Sequence, residues 1–189
     1  MTSQSALGIN LPQLYAGIEI EPNAVGMRQA VSYSGPTYIA IRSAKHSSTT
    51  ASSHAKGLDK LLSLDDFKPL AYGLDGKVKP ILVLSVDGRP DENPRYREVI
   101  AHSVSHFLTY DLDGLFVFTN APGRSAYNRV ERRMAPLSRE LAGVVLPHDH
   151  YGSHLDSSGG TTDEVLEKQN FKHAGTFSFF LLFSVNFVA

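Results

Sequence analysis

Residues 81–87 read Ile81-Leu82-Val83-Leu84-Ser85-Val86-Asp87, the most apolar strand-like run in the chain, closed by an acid. Its almost continuous apolarity predicts a central strand covered on both faces, as strands of parallel sheets are. Asp87 then falls at the C-terminal end of that strand, where α/β folds form their ligand crevice. Gly88 allows a sharp turn directly after it. A plainer role for Asp87 is to cap this turn, with Asp91 and Glu92 as solvent-facing charges at the entry of the next helix.

Downstream, Asn93-Pro94 predicts a helix start, with Asn at the cap and Pro at the first position. Tyr96, Val99, Ile100, Val104, Phe107 and Leu108 recur at helical spacing and predict its buried stripe. Residues 111–114 read as a turn and Leu115–Thr119 as the next strand. A helix is expected from about Ser125, with Val130, Met134, Leu137 and Leu141 inward and Pro136 kinking or ending it. Residues 143–175 read as loop-rich, with a short helix near Glu164–Lys168.

Upstream, residues 15–20 carry β character, 29–34 fit a short strand, and Thr37–Ile41 alternates as a strand does. The Ser/Thr cluster Ser47–Thr50 supplies helix caps, and Ala55, Leu58, Leu61 and Leu62 mark the helix that follows. Asp65, Asp66 and Pro69 are expected to end it. The order strand, strand, helix, strand, helix, strand, helix predicts a mixed α/β fold whose second half is a β-α-β unit. A ribonuclease H-like fold has this order, with helices flanking a mixed sheet and one further central strand at the front. The expected division is a disordered segment 1–13, a partial domain over 14–175 and an apolar, Phe-rich tail over 176–189.

Composition narrows the classes. One domain is the default for 189 residues, and 42% apolar with 20% charged residues is ordinary for a globular chain. The net charge of −1 means any nucleic-acid contact must come from a local basic patch. Without cysteine there are no disulfides and no thiolate zinc sites. The expected location is intracellular, and nuclear in a eukaryote. The chain opens with no charged segment leading into an apolar run, so no secretory signal is read. Phe177–Ala189 (FSFFLLFSVNFVA) is uncharged, and its 13 residues fall short of the roughly 20 of a membrane span. It reads as a buried strand pair or an aggregation-prone tail foreign to the domain.

The segment Pro122-Gly123-Arg124-Ser125-Ala126-Tyr127-Asn128-Arg129-Val130-Glu131-Arg132-Arg133 is the most basic in the chain. Asn128 stands one helical turn before Glu131, so the two share a helix edge. Arg124, Arg129, Arg132 and Arg133 can grip phosphates or form an ordinary exposed face. Glu131 can equally be a solvated acid paired with these arginines. This stretch resembles the final-acid motif of DDE-type transposases of the mariner-like and related insertion-sequence groups. Asp87, ending an apolar strand before Gly88, is similar to their second acid. The resemblance covers roughly residues 30–175. It implies a ribonuclease H-like domain in which Asp87 and Glu131 are catalytic acids and ligands of Mg²⁺ or Mn²⁺. It further implies strand cleavage and transfer on DNA, held by Arg124, Asn128, Arg129, Arg132 and Arg133.

The first acid of such a set belongs on an earlier strand. The chain has no Asp before Asp59, which falls in a helix, and its early carboxylates are Glu19 and Glu21. The expectation is therefore an N-terminally truncated, inactive domain, or a relic that binds DNA or protein without catalysis. A rival site lies in His148, Asp149, His150, His154 and Asp156, residue types able to bind zinc in a metal-dependent hydrolase. His102 and His106 share a helix face but show no third ligand. No Walker-type or GxGxxG loop is present.

Overall fold

The computed structural model describes residues 13–20, 31, 32, 35–40, 48–120, 123, 135, 139 and 149–183. The segment Arg124–Arg133, His148 and the ends 1–12 and 184–189 lie outside them, as does most of the helix expected from Ser125. By contacts the chain falls into two compact units, one of Leu14–Ala40 with Ser48–Met134, the other of Met1–Gln13, Ile41–Ser47 and Ala135–Ala189.

The described chain is mixed α/β, with its strands in three two-stranded pairs. In the first unit, β1 (Gln13–Ala16) pairs with β4 (Thr37–Ala40). Tyr15 stacks on Tyr38 across that pair, ring centroids 5.7 Å apart. β2 (Glu19–Ile20) runs antiparallel to β3 (Val31–Ser32).

Helix α1 (Ala51–Leu62) begins where the Ser/Thr cluster predicts. Thr50 Oγ1 accepts from the Ser53 amide at 3.1 Å, and Ser53 Oγ accepts from the Thr50 amide at 2.9 Å. This reciprocal pair satisfies two amides that a helix start leaves open. Leu58 and Leu62 are buried one turn apart. Pro69 does not end the helical region. After a 3₁₀ turn (Asp65–Phe67) it enters the first turn of α2 (Lys68–Ala71), where a missing N–H costs nothing.

The decisive run forms β5 (Ile81–Val86), parallel to β6 (Gly114–Thr119) over six residues from Ile81↔Gly114 to Val86↔Thr119. Helix α3 (Arg97–Thr109) makes the crossover. Two expectations fail here. Coverage on both faces is absent among the described residues: Ile81, Val83 and Phe116 are each more than half exposed. Val83 and Phe116 are register partners, so one face of the pair is open. Nor do Asn93 and Pro94 start α3; Tyr96 caps it, and Asn93 closes the preceding loop instead.

The expected buried stripe of α3 is also rotated. Only Val99 of the six is buried, while Leu108 is 71% exposed. The helix turns its His106 side to α1, where Asp59 accepts from Tyr110 at 2.6 Å and pairs with His106 Nε2 at 3.1 Å. Burial and this Asp59 carboxylate both push the Tyr110 phenol above its ordinary range. Polar pairing thus decided the facing side where apolar periodicity pointed elsewhere.

In the second unit, α4 (Glu164–Phe183) is one 20-residue helix, longer than the short helix expected. Asp163 Oδ1 accepts from the Val165 and Leu166 amides at its start. Its last turns include Phe177–Phe183, so that part of the tail is helix and not a strand pair. Among the described residues no helix is long and apolar enough to cross a membrane.

Candidate functional site

Because β5 and β6 are parallel, their C-terminal ends emerge side by side, with Val86 opposite Thr119. Asp87 therefore leaves β5 next to the point where Asn120 leaves β6. Gly88 adopts φ 84°, and a Cβ there would press on the Thr119 side chain at 3.2 Å. The positive φ favours glycine there, and any Cβ would also make the Thr119 side chain give way by a few tenths of an ångström. Asp87 is exposed, and Arg89 Nε donates to its Oδ2 at 3.1 Å. Asn120 Nδ2 is buried at this edge with no hydrogen-bond partner among the described residues.

Asp91 and Glu92 do not face solvent as helix-entry charges. The loop folds back through the Glu92 and Asn93 amides, which both donate to Arg89 O, and through Asn93 Nδ2, which donates to Gly88 O. That turn aims both acids at His54 of α1. His54 Nε2 lies 3.0 Å from Asp91 Oδ2, and Nδ1 lies 3.2 Å from Glu92 Oε1. The Tyr15 hydroxyl is 3.4 Å from the same Nδ1. Tyr15 reaches α1 because Gly57 there has no side chain; a Cβ at that position would collide with its hydroxyl. Burial pushes the Glu92 carboxyl up, against the lowering effect of His54, and the charges of Asp91 and Asp87 add to the rise.

Sequence reasoning passed over His54, which lies 37 residues before Asp91 in no recognisable motif. Asp59 sits on α1 as expected, its carboxylate engaged by His106 and Tyr110. Glu19 is exposed on β2; Glu21 and Glu131 lie outside the described residues, with the Arg124–Arg133 segment.

Among the described residues of the rival histidine site, the donors do not converge; His148 lies outside them. His150 stacks on His173, centroids 3.6 Å apart and planes within 9°. His154 is buried, its Nδ1 against Asn170 Nδ2 at 3.1 Å and its Nε2 3.9 Å from Glu167. Asp156 closes a turn, accepting from the Ser158 hydroxyl and the Ser158 and Gly160 amides, which hold its carboxyl below the ordinary range. Asn170 and Glu167 of α4 engage His154, and the loop's own hydroxyl and amides engage Asp156. Among the described residues no group of three or more His, Cys, Asp or Glu could hold a metal ion.

Compared with protein-family models, curated proteins and solved structures, the chain matches none.

Proposed function

We propose that this chain is a transposase-derived domain of ribonuclease H-like ancestry, built for metal-dependent strand cleavage and transfer on DNA, with an incomplete set of acids. One observation carries the reading: the parallel β5–β6 crossover sets Asp87 beside the strand end from which the chain runs on toward Glu131. Asp87 and Glu131 would hold Mg²⁺ or Mn²⁺, hard cations suited to carboxylate oxygen. Asp87 fits that chemistry, since its partner Arg89 is exposed and such a surface pair is given up at little cost. The ions would supply Lewis-acid stabilisation of charge at phosphorus.

The protein's own groups have simpler tasks. Arg124, Arg129, Arg132 and Arg133 would neutralise phosphates and fix the register of DNA. The sequence offers no Asp before Asp59, so the first acid expected on an earlier strand is missing and binding without turnover is the expected behaviour.

The test is DNA binding and nicking with Mg²⁺ or Mn²⁺ by the full chain, by Glu131→Gln and by Arg132→Ala/Arg133→Ala. Salt-dependent binding without nicking, weakened about tenfold by the arginine changes, is expected. Nicking abolished by Glu131→Gln would identify an active enzyme with a further acid. Absence of both binding and nicking would sink the reading.

A further inference from the structure

We propose that His54 is an acid-closed latch, fastening the Asp87–Asn93 loop to α1 when its imidazole is protonated and releasing that loop when it is not. The geometry rests on both ring nitrogens. Nε2 meets Asp91 at 3.0 Å and Nδ1 meets Glu92 at 3.2 Å. A protonated imidazole donates from both nitrogens, whereas a neutral one has a single N–H and turns a lone pair on the other carboxylate. With both carboxylates ionised only the charged ring serves both partners; a neutral ring does so only while the Glu92 carboxyl, which burial pushes up, keeps a proton to donate to Nδ1. All three side chains are at most one-fifth exposed, so solvent and salt screen the arrangement weakly.

Among the described residues, Tyr15 from β1 and Asp91 and Glu92 from the loop face the ring. Tyr15 can rotate its hydroxyl to suit either state of the ring, so it does not set the charge. Asp87 stands behind Glu92, with Arg89 against its own carboxylate. The bonds from the Glu92 and Asn93 amides to Arg89 O and from Asn93 Nδ2 to Gly88 O are internal to the loop, and Asn93 also accepts from the Arg95 and Tyr96 amides ahead of α3. They give the loop its shape, and the His54 pairs tie that shape to the helix. As the pH rises and the ring loses its proton, two acids are left facing one N–H, and the loop loosens. The latch stands independently of the DNA reading, because it concerns the loop's attachment and not what Asp87 binds.

Hydrogen–deuterium exchange of the loop amides tests this on the full chain at about pH 5 and about pH 8, the interval across which imidazole changes charge. Rates are corrected for intrinsic exchange and compared with amides inside α3. Wild-type loop protection should fall about tenfold at the higher pH, a factor in keeping with losing a charged hydrogen bond. α3 should change little. His54→Gln should be weakly protected at both values. If that variant does not fold, Asp91→Asn, which keeps an acceptor without the charge, should narrow the difference severalfold. Equal protection at both pH values in the wild type, or an undiminished difference in a folded variant, overturns the proposal.

Discussion

Asn170 shows how much one side chain can fix. It is fully buried; its Oδ1 accepts from the Tyr151 amide at 2.9 Å and its Nδ2 donates to Gly152 O at 3.0 Å. These two backbone contacts set the amide's orientation, so Nδ2 is what meets His154 Nδ1. That ring nitrogen must accept, which places the proton of a neutral ring on Nε2, toward Glu167. Asn170→Ala should cost about 2–4 kcal/mol by denaturant unfolding, since it strands several buried groups at once. Glu92 gives the opposite sign. Its folded-state carboxyl is raised by burial, so stability present below the unfolded value is lost as pH rises through the raised one. Glu92→Gln stays neutral throughout and should escape that loss. Melting temperatures across a pH series should show the variant gaining on the wild type toward neutrality, with the gain absent in acid. A gain that persisted in acid would contradict the burial argument.

Among the elements, α1 is specified locally and α3 is not. The Thr50–Ser53 capping box sits in the sequence just before the apolar repeat, and the helix begins there. Thr50→Ala should cost about 1 kcal/mol of stability in chemical denaturation, and a change under about 0.3 kcal/mol would mean the box is idle. In α3 the apolar positions at 100, 104 and 108 lie one turn apart, yet the helix buries Val99 and His106. The reason is the Asp59 carboxylate, which Tyr110 and His106 reach only with that side turned to α1. Removing it in Asp59→Ala should free the helix to roll, read as increased protease sensitivity across α3, with a loss of about 1–3 kcal/mol.

For the whole molecule, the open β5–β6 face is the unusual feature. A parallel pair normally has both faces covered, and here Ile81, Val83, Phe116 and Phe118 remain substantially exposed. Such a patch favours association. Phe116→Thr should alter stability by less than about 0.5 kcal/mol, because little burial is lost, while reducing binding of an apolar dye and light scattering in concentrated solution. A large loss of stability would show that the face is covered in solution.

What the sequence determined by itself was local. The β5 run, its acid at the strand end, the β-α-β succession and the Thr50 cap follow from side-chain apolarity, branching and hydroxyl placement over a few residues. Those features need no distant partner to be read. Tertiary structure alone decided which face of α3 is buried, that Asp91 and Glu92 turn inward, and that His54 stands between them. It also decided that His150 and His154 part company, because Asn170, Glu167 and His173 on α4 draw them to separate partners. Each of those outcomes depends on groups 13 or more residues apart, and burial chooses among such pairings by the cost of leaving a polar group unmatched.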